Sequence, residues 1–262
     1  MKRTMSKEEL IDIQIPKQLK KEKSFYRIDA LNYTGVCTDG TPYSEVIAKW
    51  LYEQFDCPEK LKELLLQGSN MQPEREFKIE PIHRGEDIKY SPDSNRNEEN
   101  IAKRMFQMKN FTIVNQPELN LVDYQVPVNR RFASAEGKVD LVFSDGKCIV
   151  IGELKDEDSP ETLLRAVVEA KTYQYKIENC SSALLRFTRC YTDQKVPIDW
   201  VGPAIVIFTD NKSQPGRDYQ SAKQSEGWII KLIKRWDIQI FEINIVKDCK
   251  AFEEREYSLK WL

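Results

Sequence analysis

Histidine is almost absent from this chain, with His83 the only one among 262 residues. This scarcity argues against zinc proteases, histidine-metal nucleases and ribonucleases that use two histidines, and it weakens the case for a serine hydrolase with a histidine base. Catalysis would then depend on carboxylates, lysines, hydroxyls or thiols. We interpret His83 as a surface loop residue.

Cysteine motifs and long apolar runs are also lacking. The six cysteines form no Cys-x-x-Cys pair, which argues against a structural zinc site or an iron–sulfur cluster. No stretch approaches the roughly 18 apolar residues of a membrane span, and the N-terminal residues lack the apolar core of a signal peptide. We therefore expect a soluble, cytoplasmic protein with reduced cysteines.

Neither sign of charge is in clear excess, since 40 basic and 42 acidic residues give a net charge of −2. This balance excludes a polybasic protein whose nucleic-acid affinity depends on bulk charge, although it permits a local basic groove. A hydrophobic content of 40% is typical of a folded protein.

Two regions of the chain differ in their sequence patterns. The first carries two predicted helices, one that begins after Thr41 and one over residues 58–67, followed by a polar stretch without periodicity at 69–96. We therefore divide the chain into an N-terminal accessory region, residues 1–95, that is partly helical, and a second domain, residues 96–262.

The second domain alternates between helical and strand patterns. In chain order these predict a helix over 97–109, strands over 138–144 and 148–155, a helix over 159–177, a strand over 204–209, a helix over 221–236 and a strand over 238–246. This order predicts an α/β fold with a mixed β-sheet flanked by helices.

A β-hairpin is predicted where two apolar runs flank Asp145-Gly146. Both central positions of a type I′ turn need positive φ, and this residue pair tolerates it. Such a turn pairs Ser144 with Lys147 and thereby sets the register of the two strands.

Three charged side chains share one face in this register, at the end away from the turn: Asp140, Glu153 and Lys155. Asp140 and Glu153 become diagonal neighbours about 7–8 Å apart. A charge cluster at the rim of a buried face is costly unless something neutralises it. Mg²⁺ would do so, because it prefers carboxylate oxygens, and it would also polarise a phosphate group. The alternative is a Lys138–Glu153 ion pair on a solvated sheet edge, which stays open at this point.

The segment GKVDLVFSDGKCIVIGELK resembles the core of the PD-(D/E)xK nuclease superfamily. Asp140 matches the aspartate of that motif, Glu153 its second acidic position and Lys155 its lysine, while Val139 occupies the position of the proline. The resemblance covers about residues 97–210 and implies a restriction-endonuclease-like fold.

The resemblance also implies a function, that of a metal-dependent nuclease that hydrolyses phosphodiester bonds, most readily a DNA endonuclease. Its cofactor would be Mg²⁺, with Mn²⁺ as a substitute. Asp140 and Glu153 would bind the metal, the Leu154 carbonyl would add a ligand, and Lys155 would activate or orient water.

Members of the superfamily often carry a further glutamate on the helix before the hairpin. Glu98 lies on the apolar stripe of that helix with Ile101 and Met105, so we prefer it to its neighbour Glu99. First-turn glutamates are also favoured by the helix dipole alone, which leaves a purely structural role open for either residue.

Four side chains downstream are candidate substrate contacts: Lys171, Gln174, Arg186 and Arg189. Gln174 lies on an inward-facing stripe, where a hydrogen-bonded core glutamine is the alternative. Arg186 and Arg189 lie in a loop-like stretch. The resemblance implies nucleic acid as the partner, with DNA preferred to RNA, and a homodimer stays open. The competing function is a non-catalytic nucleic-acid- or protein-binding module on the same fold.

Overall fold

The computed structural model describes residues 4–22, 24–54, 56–67, 83, 97–108, 111–128, 137–193, 200–210, 212–249 and 254–262. Across these ranges it shows an α/β protein with a mixed seven-stranded sheet flanked by helices, which confirms the predicted fold class at that level. No helix in these ranges is long and apolar enough to cross a membrane.

The helices are α1 (Ile15–Leu19), α2 (Tyr43–Gln54), α3 (Pro58–Leu65), α4 (Asn97–Gln107), α5 (Leu163–Glu178), α6 (Ser181–Tyr191), α7 (Gln214–Ser225) and α8 (Trp228–Arg235). The strands are β1 (Ile113–Val114), β2 (Asn120–Pro127), β3 (Lys138–Ser144), β4 (Cys148–Leu154), β5 (Trp200–Ile207), β6 (Gln239–Lys247) and β7 (Glu256–Trp261). A π-helical segment, Glu9–Gln14, precedes α1, and short 3₁₀ turns follow it at Phe25–Arg27 and Asp29–Asn32.

The strand order in the sheet is β1-β7-β6-β5-β4-β3-β2. The three central strands β4, β5 and β6 run parallel, whereas β3 is antiparallel to both of its neighbours. The apolar run of β5 is buried along its described side chains, as expected for a central parallel strand covered on both faces.

The predicted hairpin forms, but its register differs from the predicted one. Ser144 pairs with Ile149 instead of Lys147. The cause is the Asp145 side chain, whose Oδ1 accepts hydrogen bonds from the backbone N–H groups of Lys147 and Cys148 and so stabilises a longer turn. The register moves by two residues, so every side chain keeps its predicted face.

Two helix boundaries differ from their predicted positions. α5 begins after Thr162, whose hydroxyl accepts from the Arg165 N–H, so Thr162 is the N-cap rather than Ser159. The single helix predicted over 221–236 is instead two helices, because the chain leaves α7 through Glu226 in a left-handed conformation.

The region around Arg186 and Arg189, predicted as a loop, is helix α6.

The two faces of the sheet carry different helices. α4 packs on one face, over the side chains of Leu141, Phe143 and Val150. On the other face, α5 and α6 cover the hairpin residues Val142 and Ile151.

The N-terminal helices share a core with the second domain. Leu10, Ile47 and Leu61 lie in one buried cluster with Leu164 of α5 and Leu232 of α8. The predicted boundary near residue 95 falls outside the described residues and stays a prediction.

Candidate active site

A polar, solvent-open cavity of about 300 Å³ lies where β3 begins and β4 ends, beside the first turns of α4 and α5. Its walls carry five carboxylates, three cations, an amide and a phenol, namely Glu98, Asp140, Glu153, Glu161 and Glu169, Lys138, Lys155 and Arg165, Gln125, and Tyr173. The cavity therefore brings together Asp140, Glu153, Lys155 and Glu98, the four side chains that the sequence predicted as catalytic or metal-binding.

Asp140 is buried and held by one hydrogen bond at each oxygen. Its Oδ2 accepts from the backbone N–H of Leu154 at 2.9 Å, and its Oδ1 accepts from the Gln125 amide at 2.6 Å. Burial raises the pKa of Asp140 to about 6, against the opposing effects of the Lys155 charge and the Leu154 hydrogen bond. Each oxygen retains a lone pair for a further partner.

Gln125 reaches Asp140 from the edge strand β2, at a φ of 47°. This left-handed conformation is uncommon for a residue other than glycine and is characteristic of functional sites.

Lys155 is the centre of the charge cluster. Its Nζ lies 2.8 Å from Glu153 Oε1 and 2.6 Å from Glu161 Oε2, with Glu169 and Glu98 within 4 Å. Burial disfavours its positive charge, but the surrounding carboxylates outweigh this effect and raise the pKa of Lys155 well above its ordinary value. The side chain is therefore an ammonium group.

The partner of Glu153 is thus Lys155 at the same rim, instead of the cross-strand residue Lys138. Glu153 is buried, and burial together with the neighbouring Asp140 and Glu169 raises its pKa well above the ordinary range. Its Oε2 accepts no hydrogen bond from any described residue.

Glu98 and Glu99 are separated by the structure. Glu98 lines the cavity beside Lys155, whereas Glu99 pairs with Lys103 one turn along α4 at 2.7 Å. Burial raises the pKa of Glu98 to about 8, and the Asp140 and Glu161 charges add to this effect.

Five further cavity residues were not predicted from the sequence, and four of them, Glu161, Arg165, Glu169 and Tyr173, lie in or just before α5. Glu161 lies 3.0 Å from Arg165 Nε, and the Tyr173 hydroxyl donates to Glu169 Oε1 at 2.9 Å. Both pairs are spaced four residues apart, which places them on one side of the chain. The four-residue spacing was the sequence signal for these pairs. They lie on a different side of α5 from the apolar stripe that contains Gln174.

The N-terminal region packs against the part of α5 that lines the cavity. The ring of Tyr26 packs edge-on against Tyr173, with centroids 5.8 Å apart, and the fully buried Lys176 places its ammonium over both rings. Tyr173 also packs tightly on Gly137, where a Cβ would lie 2.1 Å from the phenol oxygen.

A divalent cation fits the chemistry of this site. Three of its five carboxyl groups have raised pKa values, chiefly because burial disfavours their ionised form, and a bound cation would oppose this effect. The available donors are hard carboxylate oxygens, which Mg²⁺ and Mn²⁺ prefer. Among the described residues, no group of three or more His, Cys, Asp or Glu side chains that could hold a metal ion is found. Mg²⁺ usually takes only one or two carboxylates and fills its other positions with water or substrate oxygens.

The four predicted substrate contacts do not line the cavity. Lys171 donates to the Gln174 amide oxygen at 2.7 Å and to the Trp236 carbonyl at 3.0 Å, while Gln174 donates to the Val201 carbonyl. Gln174 is thus a hydrogen-bonded core glutamine.

The two arginines on α6 also lie away from the cavity lining. Arg186 is buried and donates to the carbonyl of Pro127, whereas Arg189 is exposed.

His83 does not behave as the simple surface loop residue that the sequence suggested. Its Nδ1 lies 2.8 Å from the fully buried Asp123 Oδ1, and its ring stacks on Tyr124 with centroids 3.9 Å apart. Asp123 also accepts from the Tyr191 hydroxyl at 2.6 Å. None of these four residues lines the cavity.

Comparison of the chain with family models, curated proteins and solved structures finds no match. What the cavity can do is therefore inferred from its own residues.

Proposed function

We propose that this chain is a metal-dependent nuclease with a restriction-endonuclease-like fold, most readily a DNA endonuclease. The observation that supports this proposal is the convergence of Asp140, Glu153 and Lys155 in one open polar cavity. Two buried carboxylates and a buried ammonium group are costly to hold together unless they serve a ligand or a reaction.

In this proposal Asp140 and Glu153 hold Mg²⁺ or Mn²⁺, with the Leu154 carbonyl and Glu98 as further donors. The Leu154 N–H and the Gln125 amide orient the Asp140 carboxylate, and Glu153 offers its Oε2. The cation, when bound, would polarise the scissile phosphate and lower the pKa of a bound water.

Lys155 orients the attacking water or a phosphate oxygen by donating hydrogen bonds. Because the carboxylates hold it as an ammonium group, it acts as a donor and an electrostatic stabiliser instead of a base. Glu161 and Glu169 keep this ammonium at the rim of the cavity.

The direct test is cleavage of plasmid DNA, DNA oligonucleotides and RNA in the presence of Mg²⁺ or Mn²⁺. Asp140→Asn, Glu153→Gln and Lys155→Met should each lower kcat by about a hundredfold or more. Two controls match these changes in chemistry: Glu118→Gln alters an exposed carboxylate and Lys147→Ala an exposed lysine, both outside the cavity.

Equal cleavage by the wild type and the three site variants would identify a contaminating nuclease and refute the proposal. A wild-type chain that cleaves neither DNA nor RNA with either metal would favour the non-catalytic binding module.

A further inference from the structure

Two cations of the cavity stand apart from Lys155. Lys138 and Arg165 both line the cavity, Lys138 from the first residue of β3 and Arg165 from the first turn of α5. An enzyme that acts on a polyanion in an acidic cavity needs cationic side chains that are free to meet the phosphates.

Lys138 meets this requirement. It is partly exposed, and it forms no ion pair with any described residue. Glu153, its possible partner across the hairpin, is paired with Lys155 instead. Alternation along β3 places Lys138 on the same face as Asp140, two residues and about 7 Å away. A phosphate held by Lys138 would therefore lie next to the Asp140 carboxylate.

Arg165 meets it in a different way. Its Nε forms an ion pair with Glu161 Oε1 at 3.0 Å, four residues earlier, without the geometry of a hydrogen bond, and its side chain lines the cavity. Its two terminal Nη groups donate no hydrogen bond to any described residue, so a planar fork of donors is available. Such a fork matches the geometry of two phosphate oxygens.

We propose that Lys138, from β3, and Arg165, from α5, form a phosphate-binding subsite in the cavity of the carboxylate cluster, and that its ligand is the phosphodiester backbone of a polynucleotide. This inference rests on the proposed function, since it assigns the substrate contacts of that site. Lys138 and Arg165 take the place of Lys171 and Arg186 as candidate phosphate contacts, because those two residues are buried and hydrogen-bonded away from the cavity.

The test measures binding separately from cleavage. A fluorescently labelled single-stranded DNA oligonucleotide is titrated with the full chain in Ca²⁺, and its anisotropy is followed over a range of salt concentrations. Lys138→Ala and Arg165→Ala should each raise Kd about three- to tenfold, and each should reduce the slope of log Kd against log salt by about one unit or less. Lys147→Ala, at the turn of the same hairpin, is the matched control and should change neither quantity.

Competition with a nucleoside monophosphate and with inorganic phosphate distinguishes the sources of the phosphate group. Release of the oligonucleotide only by another polynucleotide supports a backbone ligand, whereas release by inorganic phosphate at equal concentration would overturn it. Melting temperatures of the variants equal to that of the wild type exclude a folding defect.

The outcomes separate this inference from the proposed function. Binding that depends on Lys138 and Arg165 without any cleavage would support the subsite and contradict the nuclease proposal. Cleavage with an unchanged Kd and salt slope in both variants would overturn the subsite alone. A chain that binds no oligonucleotide in Ca²⁺ would overturn it as well.

Discussion

Without metal, this protein should lose stability as the pH rises from about 5 to about 8. The cause is the cavity, where burial raises the pKa of Asp140 from 3.8 to about 6. Well below pH 4 this carboxyl group is protonated in both the folded and the unfolded chain. As the pH rises towards 6 the unfolded chain releases the proton while the folded chain keeps it, so the free energy of unfolding falls.

The size of the effect follows from the shift. One pKa unit corresponds to about 1.4 kcal/mol, so the change from 3.8 to about 6 removes about 3 kcal/mol in total, roughly half of it above pH 5. Glu98, with a pKa of about 8, and Glu153 act in the same direction and extend the fall above pH 6. Carboxyl groups with a lowered pKa, such as Asp39, contribute mainly below pH 5.

Urea unfolding in EDTA at a series of pH values measures this dependence. Asp140→Asn should show a shallower fall than the wild type, whereas Asp145→Asn, outside the cavity and with a lowered pKa at the native carboxyl, should retain the full fall. Mg²⁺ should stabilise the wild type more at about pH 8 than at about pH 5, because it binds the ionised carboxylates. A wild-type stability that stays level or rises between these pH values, or a full slope in Asp140→Asn, would refute the reasoning.

Three further substitutions test local packing by urea unfolding, two beside the cavity and one at the start of α8. Gly137→Ala should lower the free energy of unfolding by about 2 kcal/mol or more, because its φ is +91° and the new methyl group would lie 2.1 Å from the Tyr173 hydroxyl; a neutral effect would contradict that geometry. Tyr173→Phe should lower it by about 2 kcal/mol through the lost hydrogen bond to Glu169, and should also reduce the penalty of Gly137→Ala when the two are combined. Gly227→Ala should lower it by about 1 kcal/mol, since its methyl group would displace the Glu45 carboxylate that caps α8, and the same substitution in a Glu45→Ala background should have less effect.

The shared face of Asp140 and Glu153 was predictable from the sequence, although the exact register was not. Strand alternation has a period of two, so the two-residue shift at the Asp145 turn left both side chains on the predicted face. It also moves Asp140 from a diagonal position towards one directly across from Glu153. The register of the hairpin thus depends on the hydrogen bonds of Asp145, which the pattern of the strands does not reveal.

The strand beside the hairpin, β2, was not predictable in the same way. The sequence pattern does not predict β2, because its alternation of side chains is interrupted twice. The interruptions are a register shift between Leu121 and Asp123 and the left-handed conformation of Gln125. Its contact with Asp140 joins residues of two different strands, which periodicity alone does not reveal. Helix α7 likewise ends at Ser225 because Glu226 adopts a left-handed conformation, which the amphipathic pattern of the helix does not indicate.

Helix α5 is a shared wall, with Glu169 and Tyr173 towards the cavity and Leu164 and Val168 in the core formed with the N-terminal helices. A fragment that began at residue 97 would expose this apolar surface to water, and we expect it to aggregate. Exchange of the N-terminal region between chains, by recombination or by design, would therefore succeed only if the new region also matched α5. The N-terminal region and the cavity therefore depend on the same helix for their packing.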